Sequence, residues 1–376
     1  MKRNTKLTKK ILFIVNIDWF FITHRLPLAL EALKKGYDVY IACGISDKKE
    51  YLESLGLKVY PLAISRSGTT IKREFKAFTE IYKVTKEINP DIAHFITIKP
   101  VLYGGITSRF LNISKKVFSI SGLGFIFIRQ GIKASIVRMI IKSMYRFALG
   151  GKKSYVIVQN LDDKEVVKSI LNVPIILIKG SGVDLNQYKW IKESNQNIKV
   201  SMACRLLKDK GVFEYIDASR ILKQKFPNIE FELYGDIDIG NPASLTMEDT
   251  KKIKENGFVN LYGFTDNIAN VFSDSNIIVL PSYREGLPKV LIEAASCGRA
   301  VVTTDVPGCR DAIEPNISGL LCKVRDSKSL AEMIEKLIVD NNLRNSMGKS
   351  GRELAEREFD ISKIVKKHFE IYEGNI

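Results

Sequence analysis

A chain of 376 residues is long enough for two domains of ordinary size, and 45% apolar with 27% charged residues is the balance of a folded globular protein. A net charge of +16 makes its surface attractive to anions, so nucleic acid, an anionic membrane face and phosphorylated substrates all fit, while composition alone does not choose among them. Five widely spaced cysteines (Cys43, Cys204, Cys297, Cys309 and Cys322) without a CxxC pair, and three histidines, exclude a disulfide framework and a clustered zinc site.

In chain order, Lys9 and Lys10 close a basic arm over residues 1–10 and precede an apolar run at 11–15. A second apolar stretch at 19–22 completes an imitation of a secretory leader, which Asn16, Asp18, His24 and Arg25 interrupt. No later segment reaches the roughly 20 uninterrupted apolar residues of a membrane-spanning helix. A cytoplasmic protein that touches a membrane without crossing it is therefore expected. Short apolar runs at 11–17, 39–43, 58–62, 92–95, 116–120, 155–158 and 175–178 predict buried parallel strands. Helical patterns at 25–35, 72–88 and 135–149 lie between them. The alternation predicts a doubly wound α/β domain over residues 1–183.

The pattern restarts after the polar stretch at 192–197. Strands are predicted at 198–203, 230–234, 260–262, 276–280 and 300–303, with helices at 212–225, 244–255, 267–273 and 287–297. This gives a second α/β domain over residues 184–358. Three helical segments close the chain, the last of them amphipathic through Ile361, Ile364, Val365, Phe369 and Tyr372. Neither half carries GxGxxG after its first strand or GxxxxGK[ST], so an ordinary NAD enzyme and a P-loop NTPase are excluded. Two such domains still offer the C-terminal edges of their strands to ligands.

The most informative segment is Pro281-Ser282-Tyr283-Arg284-Glu285-Gly286-Leu287-Pro288-Lys289, continuing to Glu293. A strand ends at Pro281, a turn follows at Glu285-Gly286, and Leu287-Pro288 opens a helix. A helix start directly after a strand end presents backbone N–H groups suited to a diphosphate, and Gly286 permits close approach. Arg205 and Lys210 follow the first strand of the second domain and converge on the same kind of ligand, one as a planar fork and the other as a point charge. Lys208 reads as a solvated neighbour. Gly235-Asp236 and Tyr262-Gly263-Phe264 end two further strands of that edge, as plain turns or as ligand contacts.

The segment holding Glu285 and Glu293 resembles the E-x7-E motif of retaining GT-B glycosyltransferases of family 4. The resemblance covers nearly the whole chain and is more specific in the second domain. It implies two Rossmann-like, doubly wound α/β domains facing a cleft, with a C-terminal helix over residues 359–376 packing back towards the N-terminal domain. It implies that Glu285 contacts the donor sugar and Glu293 the nucleotide ribose. Arg205 with Lys210-Gly211 resembles the family's Arg…Lys-Gly element, so both cations stabilise charge building on the departing diphosphate. Gly263 and Phe264 would hold the base, and Gly286, Leu287, Pro288 and Lys289 would complete the donor site. No cofactor or metal is implied. Asp236-Ile237-Asp238 has the spelling of a metal motif, yet this fold class usually dispenses with the metal.

In the first domain, residues 16–20 replace the glycine-rich loop that many relatives carry, which removes that route to donor phosphates. Asp91-Ile92-Ala93-His94 resembles the family's Asp-x-x-His strand end and implies a catalytic role for His94, with a structural histidine as the alternative reading. A second histidine of the family pattern is Ile96 here. His24 is a helix-face residue or an acceptor contact. Gly122, Gly124, Gln130 and Gly131 resemble the subgroup that extends undecaprenyl-diphosphate-linked saccharides, including bacterial N-acetylgalactosaminyl- and galactosyltransferases. Arg138, Lys142 and Arg146 form a stripe beside Ile140, Ile141, Met144 and Phe147, either a solvated face or a membrane-contact helix. The expected partners are therefore a nucleotide sugar, a lipid-linked saccharide acceptor and an anionic membrane surface, and no nucleic acid. The alternatives are a GT-B epimerase or phosphorylase, or a basic nucleic-acid-binding protein, for which the sequence lacks a recognised signature.

Overall fold

The computed structural model describes residues 8–64, 70–123, 132–193 and 197–376. The chain divides into two compact units, Met1–Ile178 with Ile364–Ile376, and Lys179–Lys363.

Unit 1 is built from β1 (Lys10–Ile17), α1 (Asp18–Lys34), β2 (Asp38–Gly44), α2 (Lys49–Ser54), β3 (Lys58–Pro61), α3 (Ile71–Ile88), β4 (Ile92–Ile96), α4 (Ile98–Thr107), β5 (Lys115–Ile120), α5 (Ile132–Leu149), β6 (Ser154–Val158), α6 (Leu161–Lys168) and β7 (Ile175–Leu177). Its seven strands run in the order β3-β2-β1-β4-β5-β6-β7, every pair parallel. The order reverses between β1 and β4, which makes their C-terminal ends the switch point where doubly wound sheets take ligands. The strands read as unbroken apolar runs because both faces are covered. Leu12 and Ile14 join one core with Phe95 and Phe118, while Ile11, Phe13 and Val15 join the opposite core with Phe21 and Leu26.

Unit 2 contains β8 (Lys199–Ala203), α7 (Val212–Lys225), β9 (Glu230–Tyr234), α8 (Met247–Asn256), β10 (Asn260–Gly263), α9 (Ile268–Asp274), β11 (Ile277–Leu280), α10 (Lys289–Ser296), β12 (Ala300–Thr304), β13 (Gly319–Cys322), α11 (Ser327–Val339) and α12 (Asn341–Leu354). The strand order is β10-β9-β8-β11-β12-β13, again all parallel, with the reversal between β8 and β11. The last helix, α13 (Ile361–Glu373), belongs to unit 1 from Ile364 onward, where Ile364, Phe369, Ile371 and Tyr372 are buried in the core shared with Phe13.

Several elements differ from the sequence expectation. Helix α1 begins at Asp18, immediately after β1, because Asp18 is fully buried and accepts from the backbone N–H groups of Trp19, Ser46 and Lys48. The aromatic stretch at 19–22 is thus its first turn, anchored by Phe21, rather than an apolar stretch preceding a helix. A sixth strand of unit 2, β13, was not expected: its four residues give too short an apolar run to stand out.

The α13 face carries a buried group of titratable side chains. His368 and His94 are fully buried, and Tyr372 and Arg25 nearly so. Burial holds His368 down at about 3, helped by the positive Arg25, although its hydrogen bond to the Ile364 carbonyl acts the other way. Burial likewise pushes His94 well below the usual histidine value, with His368 and Arg25 adding to it. Both are neutral in the folded protein, whereas in the unfolded chain they titrate near pH ~6.5. The unfolded state therefore binds more protons below that pH, and stability falls as pH drops through it. The expected slope is about 1.4 kcal/mol per pH unit for each histidine between roughly pH 6 and 5. Denaturant titrations at several pH values check this; His368→Phe should flatten the slope by about one proton, and an unchanged slope would contradict it.

Candidate active site

The donor-type constellation of unit 2 lies at the C-terminal ends of the adjacent strands β8 and β11. After β8, the chain turns through Arg205 and Leu206 into a single 3-10 turn at Lys208–Lys210, closed by Gly211 in the left-handed region. After β11, Pro281 and Ser282 lead to Glu285. The two loops are stitched together: Tyr283 N–H donates to the Asp209 carbonyl at 2.9 Å, and Ser282 Oγ to the same oxygen at 3.1 Å. This stitching brings Lys210 Nζ onto Glu285 Oε1, the oxygen that also accepts from Ser282 Oγ at 2.7 Å. Lys210 is raised above the ordinary lysine value. Burial works against its charge, but the attraction and hydrogen bond of the Glu285 carboxylate outweigh it.

Helix α10 starts at Lys289, two residues later than the expected start at Leu287, with Pro288 in the extended N-cap position at φ −71° and ψ 119°. Proline suits that place because its carbonyl accepts from Leu291 N–H at 3.2 Å while its missing N–H leaves nothing unsatisfied. The first-turn N–H groups lack intrahelical acceptors, as at every helix start. Gly308 packs its backbone tightly against this turn. A Cβ on Gly308, whose φ is +82°, would lie 2.4 Å from the Glu285 carbonyl oxygen and 2.6 Å from that of Gly286.

Glu293 is buried one turn into α10, where its Oε1 accepts from Tyr188 OH at 2.7 Å and pairs with Lys289 Nζ at 3.1 Å. Arg205 is half-exposed and pairs with Asp238 Oδ2 at 2.5 Å. Asp238 is positioned by Asn241 Nδ2 at 3.1 Å, and its own N–H donates to Ser244 Oγ at 2.9 Å. Gly263, at φ +81°, ends β10, and its carbonyl accepts from Gly235 N–H at 2.7 Å. Beside it Tyr262 stacks on Tyr234 with centroids 5.0 Å apart, and Phe264 is exposed. The structure thus joins Lys210 to Glu285 directly and places Arg205, Gly263 and Phe264 at the ends of β8 and β10, on the same edge of the sheet. Tyr188 and Asp238 are partners that sequence reading did not assign. Tyr188 stands in no motif, and Asp238 was visible only as part of an Asp-x-Asp spelling. Among the described residues no group of three or more His, Cys, Asp or Glu could hold a metal ion.

In unit 1 the geometry around His94 favours the structural reading over the catalytic one. His94 lies in the middle of β4, not at its end, and no part of it is exposed. Its alternation in β4 turns it to the α13 side, where Nδ1 is 2.6 Å from Tyr372 OH and Nε2 is 2.6 Å from Ser119 Oγ. Both ring nitrogens are satisfied inside the core, as a structural histidine requires. His24 lies in α1 with its ring 4.3 Å from that of Phe20. Gly122 follows β5 at φ +129°. Gly124, Gln130 and Gly131 lie outside the described residues. On α5, Lys142 and Arg146 are exposed and Arg138 is partly exposed, beside exposed Met139, Ile140, Met144 and Phe147. Arg146 Nε donates to the Ile170 carbonyl at 3.2 Å, and Arg109 stacks on Phe147. No helix among the described residues is long and apolar enough to cross a membrane.

Residues 186–354 match the family "Glycosyl transferases group 1", and residues 10–160 match "Glycosyl transferase 4-like". The chain is 30% identical over 365 residues to the N,N'-diacetylbacillosaminyl-diphospho-undecaprenol alpha-1,3-N-acetylgalactosaminyltransferase of Campylobacter jejuni, covering 93% of this chain and 94% of that one. It is 27% identical to the capsular polysaccharide biosynthesis glycosyltransferase CapM of Staphylococcus aureus, over 90% of each chain. Among solved structures, a sucrose-phosphate synthase from Thermosynechococcus elongatus superposes with a TM-score of 0.79 at 18% identity, covering 97% of this chain and 98% of that one. Anabaena HepE in complex with UDP and glucose superposes with a TM-score of 0.76 at 19% identity, covering 97% and 100%. The chain belongs to the group 1 and 4-like glycosyltransferases of GT-B fold.

Proposed function

We propose that this glycosyltransferase moves a hexose or N-acetylhexosamine from a UDP-sugar to a saccharide carried on a polyprenyl diphosphate, with retention, at the inner face of a bacterial cell membrane. The observation that carries the donor half is the convergence of Lys210, Ser282 and Glu285 at one point beside the start of α10. A departing diphosphate there gains the cations Arg205 and Lys210 and the N–H groups of the first helical turn. The acceptor half is supported by two relatives. The Campylobacter enzyme is named for a diphospho-undecaprenol acceptor. So is the Escherichia coli UDP-Gal:alpha-D-GlcNAc-diphosphoundecaprenol alpha-1,3-galactosyltransferase, 23% identical over 89% of each chain. The test is a panel of UDP-sugars with a short-chain polyprenyl-diphosphate N-acetylhexosamine, reading the product's anomeric configuration by NMR. Transfer with inversion would overturn the retention, and no transfer from any donor would overturn the substrate assignment.

The two acids have separable parts in this reading. Glu293, anchored by Tyr188 and Lys289, is the ribose contact, and Glu285, next to Lys210, faces the sugar. Glu293→Gln should weaken UDP binding about tenfold, the scale of one hydrogen bond to a charged group. Glu285→Gln should hold UDP within about twofold while lowering turnover by an order of magnitude or more. Calorimetry with UDP and a turnover assay separate them, and an equal loss of UDP affinity in both variants contradicts the division.

A further inference from the structure

Helix α10 carries Glu293, and a segment early in unit 2 is strapped to that helix. Tyr188 OH donates to Glu293 Oε1 at 2.7 Å. Arg352, on α12, donates from Nη1 to the Tyr188 carbonyl and to that of Ser296, the last residue of α10, both at 2.8 Å. Trp190 lies against Gly298, just past the helix, so closely that a Cβ there would meet the indole at 2.0 Å. Tyr188 N–H donates to the Asp184 carbonyl at 2.9 Å. Both backbone groups of Tyr188 are therefore fixed, and its ring belongs to the buried cluster of unit 2.

This arrangement divides the Glu293 carboxylate in two. Each carboxylate oxygen offers two lone pairs. Those of Oε1 are taken up by Tyr188 OH and by Lys289 Nζ, 3.1 Å away. Among the described residues no hydrogen bond or ion pair falls on Oε2. Oε2 thus keeps both lone pairs, which is what the two hydroxyls of a vicinal diol need. The two partners on Oε1 are not equivalent. Lys289 sits one turn away on the same helix, a point charge on a flexible stem that follows the carboxylate wherever it turns. Tyr188 has only two side-chain torsions and a buried ring, so its hydroxyl occupies one place. Burial, and next the charge and hydrogen bond of the Glu293 carboxylate, push the phenol well above the usual tyrosine value, so it stays protonated and donates. A hydrogen bond from a fixed donor to a charged acceptor is short, strong and directional.

We infer that Tyr188 is a positioning residue for the nucleotide: by occupying Oε1 it fixes the Glu293 carboxylate so that Oε2 alone accepts from both ribose hydroxyls. This rests on the ribose role proposed above for Glu293 and adds to it the residue that makes the contact selective.

The test is calorimetry on the full-length protein with two probes, UDP and its 2′,3′-dideoxy analogue, which lacks both ribose hydroxyls. Wild type should prefer UDP by about tenfold or more. Tyr188→Phe keeps the buried ring, and with it the fold, while removing the hydroxyl. It should weaken UDP binding about fivefold and leave the dideoxy analogue within about twofold, so the preference shrinks. Glu293→Gln should shrink the preference about tenfold, and adding Tyr188→Phe to it should cost little more, because the two changes break one contact. A ring that only packs would weaken both probes alike or neither, and either result in Tyr188→Phe overturns the positioning role. If Glu293→Gln loses the preference while Tyr188→Phe keeps it, the positioning role fails and the ribose contact stands. If wild type shows no preference, or Glu293→Gln keeps it, the ribose contact fails and takes the role of Tyr188 with it.

Discussion

Replacing Lys210 with alanine is expected to slow sugar transfer by roughly 100-fold or more, the scale of losing one preorganised group that stabilises developing charge. The structure gives the reason for so large an effect from one ammonium. Lys210 is largely sheltered from water, its side chain 17% exposed, and Glu285 beside it keeps it charged well above neutral pH. A charge fixed in such a place needs no reorganisation when the bond to the leaving diphosphate breaks. Arg205→Ala should act in the same direction. Its side chain is 43% exposed, so screening by water makes its share smaller. The fold should tolerate both changes: neither residue belongs to the buried cluster of unit 2, and Glu285 keeps its hydrogen bond from Ser282. Steady-state rates at saturating acceptor, with melting temperatures alongside, check this. Wild-type turnover in both variants would dismiss the diphosphate assignment.

Reversing the three α5 charges, Arg138, Lys142 and Arg146 to Glu, is expected to release the enzyme from anionic vesicles at low salt. An anionic leaflet attracts each nearby Lys or Arg by about 1 kcal/mol, so three amount to about 3 kcal/mol, or roughly a hundredfold in partitioning. The helix suits this use because it also leaves Met139, Ile140, Met144 and Phe147 exposed, an apolar surface that a purely solvated face would not carry. Arg146 is committed in part to the Ile170 carbonyl, which positions its charge at the end of the helix. Vesicle sedimentation over a range of salt and anionic-lipid content measures the loss. Transfer to a short, water-soluble acceptor should survive the reversal, because Lys210 and Glu285 lie in the other unit. Wild-type protein that fails to sediment with anionic vesicles at low salt would leave the stripe an ordinary solvated face.

Fold class was legible because parallel strands buried on both faces spell continuous apolar runs, as Lys10–Ile17 and Ile277–Leu280 do. The weak point was short elements: β13 holds four residues, and a run of that length has no periodicity to detect. In the candidate site, Glu285 and Lys210 stood out in the sequence because each follows a strand end with a glycine or proline marking the turn, and the structure pairs them. Tyr188 was not found. It reaches Glu293 across 105 residues of sequence, and nothing in its own surroundings signals that contact. His94 stayed open between two readings for a related reason: a short motif fixes a residue's position along a strand to within a residue or two, and that margin separates a strand end open to ligand from a strand middle packed against Tyr372 and Ser119.

The ion pairs of unit 2 bear on how a catalytic cycle ends. Arg205 rests on Asp238, Lys210 on Glu285 and Lys289 on Glu293. A cation left bare by a departing diphosphate would hold its product back, because separating the two would leave a poorly solvated charge behind. In the proposed donor reading each carboxylate is already within reach, attached to the same framework, and would take the place of the phosphate oxygens as they withdraw. On that reading the same acids would supply the returning counter-charge, and the spent nucleotide would leave by exchange rather than by rupture.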